Sequence, residues 1–100
     1  MIKRTLTEHA RALARGEYSS LELTRAYLQQ IEDIDGLLGA YLSVCAEQAE
    51  AQAKESDRRR ARGEALGLLD GIPYGAKDNL CTRGIPTTCG SRYLANFIPP

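Results

Sequence analysis

The segment Gly71-Ile72-Pro73-Tyr74-Gly75-Ala76-Lys77-Asp78-Asn79 constrains this chain more than any other. It sets one lysine in a small, mostly apolar run, directly before an acidic–amide pair and a turn-rich stretch. Pro73 fixes its own φ and restricts Ile72 to extended conformations, while Gly71 and Gly75 let the backbone pass close to other groups. The pattern predicts a buried strand, Tyr74–Lys77, that ends at a working side chain. Lysine is rarely buried without a partner, and burial disfavours its charged form. Lys77 is therefore a candidate general base. On its residues alone, the commoner reading is a strand-end lysine that reaches solvent.

Upstream, the periodicity predicts helices. Thr5-Leu6-Thr7-Glu8 has the spacing of a capping box, with Leu6, Ala10 and Leu13 on one face and Gly16 as the stop. Ser19 and Glu22 repeat the device and open a second helix with a broad apolar stripe of Leu21, Leu23, Tyr27, Leu28, Ile31 and Ile34, ending at Asp35-Gly36. Ala40–Val44 reads as a short strand. Strong helix formers follow from Cys45 to Arg62, where Ala46, Ala49 and Ala53 form a thin seam closed by Gly63. Leu66–Asp70 is a loop, Asp78–Thr88 an ordered loop, and Ser91–Phe97 one or two helical turns. Helices alternating with non-adjacent strands predict an α/β fold. A strand buried on both faces needs cover on both sides, and few neighbouring strands are at hand here.

Composition narrows the function classes. Thirteen basic against thirteen acidic residues give zero formal charge, so no global field draws the chain to nucleic acid or a membrane. No apolar run approaches the roughly 20 residues that span a bilayer. Met1-Ile2-Lys3-Arg4-Thr5 lacks a signal peptide's apolar core. Cys45, Cys81 and Cys89 are odd in number and show no metal-type spacing, which points to reduced thiols in a cytosol. Cys81 and Cys89 read as packing residues, and His9 as a surface-helix residue without a role. Asp78 and Asn79 read chiefly as turn formers. Ser91 reads as a helix cap rather than a nucleophile. Arg58-Arg59-Arg60 and Arg62 read as a solvated face at a helix C-terminus, with contact to nucleic-acid phosphates as the sharper alternative.

Gly71–Asn79, then Gly84-Ile85-Pro86-Thr87-Thr88-Cys89-Gly90-Ser91 and Asn96-Phe97-Ile98-Pro99-Pro100, resembles the amidase signature family. Within it, the A subunits of glutamyl-tRNA(Gln)/aspartyl-tRNA(Asn) amidotransferases are most similar. The resemblance is specific from Leu66 onward and diffuse before. It implies N-terminal helices leading into the first strands of a mixed sheet that these residues leave incomplete. Residues 1–100 would form the N-terminal part of a single amidase domain, helical over 1–65, with the signature strand and loop over 66–100. Because family members are several times longer, the chain is expected to be a fragment or truncated product.

The resemblance also implies a mechanism. In the family, a Ser–cis-Ser–Lys triad cleaves an amide, and Lys77 matches the lysine within Lys-Asp-Asn. The two serines lie in a Gly/Ser-rich segment of which these 100 residues hold no counterpart. The chain by itself is thus expected to be inactive and to expose apolar faces. The implied whole is a cytoplasmic glutaminase that releases ammonia. Partner subunits of B and C type would use that ammonia, with ATP and Mg²⁺, to amidate misacylated glutamyl-tRNA(Gln). No cofactor is expected in this chain. Two further readings stand beside this one: a stand-alone amide hydrolase of the same family, and a non-catalytic helical interaction module.

Overall fold

The computed structural model describes all residues from Met1 to Pro100. Three helices appear in chain order: α1 (Leu6–Ala14), α2 (Ser20–Leu38) and α3 (Ala46–Ala61). A single 3₁₀ turn, Arg92–Leu94, follows near the C-terminus. Both expected capping boxes form. The Thr5 hydroxyl accepts from the Glu8 N–H at 3.2 Å, and the Glu8 carboxylate accepts from the Thr5 N–H at 2.6 Å. Ser19 and Glu22 exchange the equivalent bonds at 3.0 and 3.2 Å. Each box satisfies two donors that a helix start otherwise leaves open.

α1 and α3 end alike. At α1 the N–H groups of Gly16 and Glu17 reach back to the carbonyls of Leu13 and Ala12; at α3 those of Gly63 and Glu64 reach Arg60 and Arg59. These are the paired bonds of a left-handed glycine stop. α2 runs past the expected end at Asp35-Gly36 to Leu38, and Gly39 supplies the left-handed cap with φ 63°. Asp35 contributes differently: its carboxylate accepts from the Ala40 and Tyr41 N–H groups just beyond the helix.

The apolar face of α1 is rotated from the expected one. His9, Ala12 and Leu13 are buried, whereas Leu6 stays exposed. Ala12, Leu13, Tyr18 and Leu23 form the core where α1 meets α2, with Tyr27 and Ile72 packed against them. α3 packs on α2 with Ala53 and Ser56 buried; of the rest of the expected seam, Ala49 is half-buried and Ala46 stays exposed. Asp57 of α3 caps α2 from outside, accepting from the Ser20 and Leu21 N–H groups at 2.7 and 3.1 Å. A carboxylate there also complements the positive end of the α2 dipole.

Neither expected strand forms. Ala40–Val44 and Tyr74–Lys77 lie outside all helices and pair with no neighbour in a ladder. The helical share of the expected architecture is therefore present, and no sheet is built from these residues. The reason is physical: a helix closes its hydrogen bonds within itself, but a strand needs a second strand to close them. Only 11 of 100 residues are buried, while Leu37, Leu66, Leu68, Tyr74 and Tyr93 stand largely in solvent. The radius of gyration, 14.8 Å, accordingly exceeds the roughly 13 Å of a compact domain this long. No helix is long and apolar enough to cross a membrane.

Candidate active site

The segment carrying Lys77 leaves the helical core at Asp70-Gly71, and that departure point is tightly held. The Asp70 side chain is 3% exposed and faces Arg59, which is 24% exposed, at 2.7 Å. Arg59 grips both carboxylate oxygens, through Nη2 at 2.7 Å and Nε at 3.1 Å. The Ser56 hydroxyl and the Leu66 N–H donate to the same carboxylate at 2.7 and 3.0 Å. Arg60 donates to the Asp70 carbonyl at 3.0 Å. The hydrogen bond from Arg59 holds the Asp70 carboxyl well below the usual carboxylate range. This corrects the reading of a solvated face for Arg59 and Arg60, while Arg58 and Arg62 do stand exposed. Arg59 and Arg60 clamp the loop, Arg58 pairs with Glu55, and Arg62 pairs with Glu64.

Gly71 follows with φ 93°, and a Cβ there would stand 2.8 Å from Ser56 Oγ and 3.2 Å from Ser20. Only glycine combines that φ with so close an approach. Its carbonyl accepts from the Ser20 hydroxyl at 2.6 Å, which ties the segment to the start of α2. Ile72 then packs on the α1–α2 core.

Beyond Ile72 the chain emerges. Tyr74 through Lys77 are exposed, so the expected burial of Lys77 is not supplied by these residues. Lys77 lines an open groove of about 1210 Å³, whose walls include Tyr27 and Ile31 of α2, Tyr41, Gln48 of α3, and Leu80. The lining is more apolar than polar, 14 of its 25 residues being hydrophobic. The Tyr41 ring stands against Gly75.

A second tie holds the far side of Lys77. The Lys77 carbonyl accepts from the Leu80 N–H at 3.0 Å, closing the expected turn. Asp78 does more than form that turn. Its carboxylate accepts from both the N–H and the hydroxyl of Thr88, and its carbonyl accepts from the Cys89 N–H at 2.8 Å. Those bonds from Thr88 lower the Asp78 pKa. Buried Thr87 closes the loop from within, donating to the Leu80 carbonyl at 3.1 Å. The Gly84 and Thr87 N–H groups reach the carbonyls of Pro99 and Phe97. Ser91 acts as the expected cap, accepting from the Tyr93 N–H at 3.2 Å. Cys81 and Cys89 are exposed rather than packed inside.

His9 is the other correction. It is 3% exposed and sits between two tyrosine hydroxyls, Tyr18 at 2.7 Å from Nδ1 and Tyr27 at 2.9 Å from Nε2. The Tyr27 hydroxyl donates to the Ile2 carbonyl, so its oxygen is left to accept from a protonated Nε2. Neutral His9 is thereby fixed as the Nε2–H form, and Nδ1 accepts from Tyr18. Burial, with Arg4 nearby, lowers the His9 pKa. A sequence signal for this existed: His9 is four residues from buried Leu13 on α1, and Tyr27 four from buried Leu23 on α2.

Comparison with known proteins gives one consistent family. A family model described as "Amidase" matches residues 22–100. The A subunit of glutamyl-tRNA(Gln) amidotransferase from Thioalkalivibrio sulfidiphilus is 54% identical over 100 residues, which is all of this chain and 20% of that protein. The protein of the same name from Synechococcus elongatus is 56% identical over 88 residues, covering 88% of this chain and 18% of its own. A solved structure described as "An unexpected vestigial protein complex reveals the evolutionary origins of an s-triazine catabolic enzyme" superposes with a TM-score of 0.88 at 33% identity. The match covers 97% of this chain and 21% of that one. The chain thus spans about a fifth of the length of the relatives it matches.

Proposed function

Because this chain belongs to the amidase family, we propose that it supplies the lysine-bearing part of the amide-cleaving A subunit in a glutamyl-tRNA(Gln) amidotransferase. One observation carries this reading: relatives bearing that name are 54 and 56% identical to the chain across a stretch that includes the Lys77 segment. The neighbour described through s-triazine catabolism stands at 33%, which favours the tRNA-linked assignment over a stand-alone hydrolase. The small core and the many exposed apolar side chains speak against a self-contained interaction module.

In the proposed reaction Lys77 is the general base. Its neutral amine takes a proton from a bridging serine hydroxyl, which takes one from the nucleophilic serine as that serine attacks the glutamine side-chain amide. The C–N bond breaks, the proton returns to the leaving nitrogen, and ammonia departs from an acyl-enzyme that water then hydrolyses. Lysine suits the role because its charge state responds to burial, whereas arginine stays protonated. The serines would come from a Gly/Ser-rich segment with no counterpart in these 100 residues. The groove beside Lys77 would then be the face against which that segment packs.

In this reading ATP chemistry, tRNA binding and amidation belong to partner subunits of B and C type in a cytoplasmic complex. The test is glutamine hydrolysis by the chain extended to the length of its relatives, carrying Lys77→Arg. Activity should fall by about 10²–10⁴-fold, the usual worth of positioned proton transfer. Near-normal activity in that variant would refute the assignment.

A further inference from the structure

Resting on that reading of Lys77, we propose that Asp70 is a positioning residue for it: clamped by Arg59, Arg60 and Ser56, Asp70 fixes the point and direction from which the Lys77 segment leaves the helical core. Three observations carry this. First, the Asp70 carboxylate is 3% exposed on its side chain, and both of its oxygens are engaged by the Arg59 fork. A two-point grip sets orientation as well as distance, which a single bond does not. Second, the grip spans two elements. Ser56 and Arg59 belong to α3, while the next residue, Gly71, is bonded to Ser20 at the start of α2. Asp57, the neighbour of Ser56, itself caps α2. The departure point is therefore fixed to the α2–α3 pair rather than to either helix alone. Third, nothing between Pro73 and Lys77 belongs to a helix or a ladder, so the direction of this stretch is inherited from its ends.

The length of the arm makes the clamp matter for chemistry. Beyond Ile72, five residues of extended chain reach roughly 16 Å. A rotation of about 4° at the departure point then moves the Lys77 end by about 1 Å, and a misplacement of that size can cost about 10²-fold in rate. The Asp78–Thr88 tie restrains the far end but belongs to the loop beyond Lys77. The Asp70 clamp joins the lysine segment to α3, while the Gly71–Ser20 bond and the packing of Ile72 join it to the α1–α2 side.

The test uses the chain extended to the length of its relatives, assembled with its partner subunits. Asp70→Asn removes the charge that the Arg59 fork grips. It should lower kcat for glutamine hydrolysis at least tenfold, with KM within about twofold of the parent. Arg59→Gln should reproduce this split between kcat and KM, and the double variant should fall no further than either single one. Arg59→Lys, which keeps the charge but loses the fork, serves where Asp70→Asn does not fold. A purely structural role would lower the melting temperature while leaving kcat per folded molecule unmoved; that result overturns the proposal. The Lys77→Arg control separates the two layers. If that variant is inactive but Asp70→Asn keeps full kcat, positioning alone fails. If Lys77→Arg is active, the base assignment fails and takes the proposal with it.

Discussion

Asp70 and Lys77 are seven residues apart and live in opposite regimes. Around Asp70, donors from α3 and from the following loop converge on one carboxylate, and the adjoining glycine is bonded to α2. No buried side-chain nitrogen or oxygen in the molecule lacks a partner. Around Lys77 the chain is exposed, pairs with no strand, and borders a wide apolar groove. The contrast separates what stabilises from what reacts. In the first region the carboxylate finds its partners among these residues. The second acquires its character from whatever fills the groove. Substitutions in the two regions should therefore act on different observables.

The largest stability effect is expected at Gly71. Alanine there would hold φ 93° and set its Cβ 2.8 Å from Ser56 Oγ. Ser56 cannot simply swing away, because its hydroxyl is committed to Asp70. Gly71→Ala should destabilise by about 3 kcal/mol, the upper range for a non-glycine residue forced into such a conformation. Chemical denaturation measures this. A loss under about 1 kcal/mol would show that the Asp70 region gives way more easily than its geometry implies.

A smaller effect is expected from pH, through His9. Burial lowers the His9 pKa, with Arg4 and the N-terminal amine adding to the shift and Glu8 opposing it. The fold thus favours the neutral ring. Its contribution is fully present above the ordinary histidine pKa near 6.5 and is lost as pH falls from there through the lowered folded value. Protonation would also put an N–H against the Tyr18 hydroxyl that now donates to Nδ1. The melting temperature should fall between pH 7.5 and 5.5. His9 is the only histidine in the chain, so a His9→Gln variant should lose that slope. An unchanged slope would place the titrating group elsewhere.

The same contrast explains what could be read in advance. α1 and α2 announced themselves because capping boxes and glycine stops are signals within four residues of where they act, and both boxes formed. The end of α2 was misplaced by three residues. Gly36 weakens a helix by only about 1 kcal/mol, and Gly39 offered a better stop. His9 and the Arg59–Asp70 clamp were missed because their partners lie nine to eighteen residues away, across turns whose geometry no local pattern encodes. The strands failed for a different reason. Tyr74–Lys77 and Ala40–Val44 carry strand-like residues, but a ladder requires a neighbour that these residues do not provide. The lysine motif, by contrast, was legible as chemistry before its geometry was known, since its residues are recognised by type and order.

The most direct test of the account is chemical rescue at Lys77. In the chain extended to the length of its relatives, Lys77→Ala should lose about 10²–10⁴-fold of its glutamine hydrolysis. Its helical core should remain folded, as read by circular dichroism, because Lys77 joins no cluster of that core. Added methylamine should then restore part of the lost rate, rising with pH as the free amine becomes available to accept the proton. Rescue by an added amine is what a general base at this position predicts. Near-parental hydrolysis by Lys77→Ala in the absence of amine would contradict it.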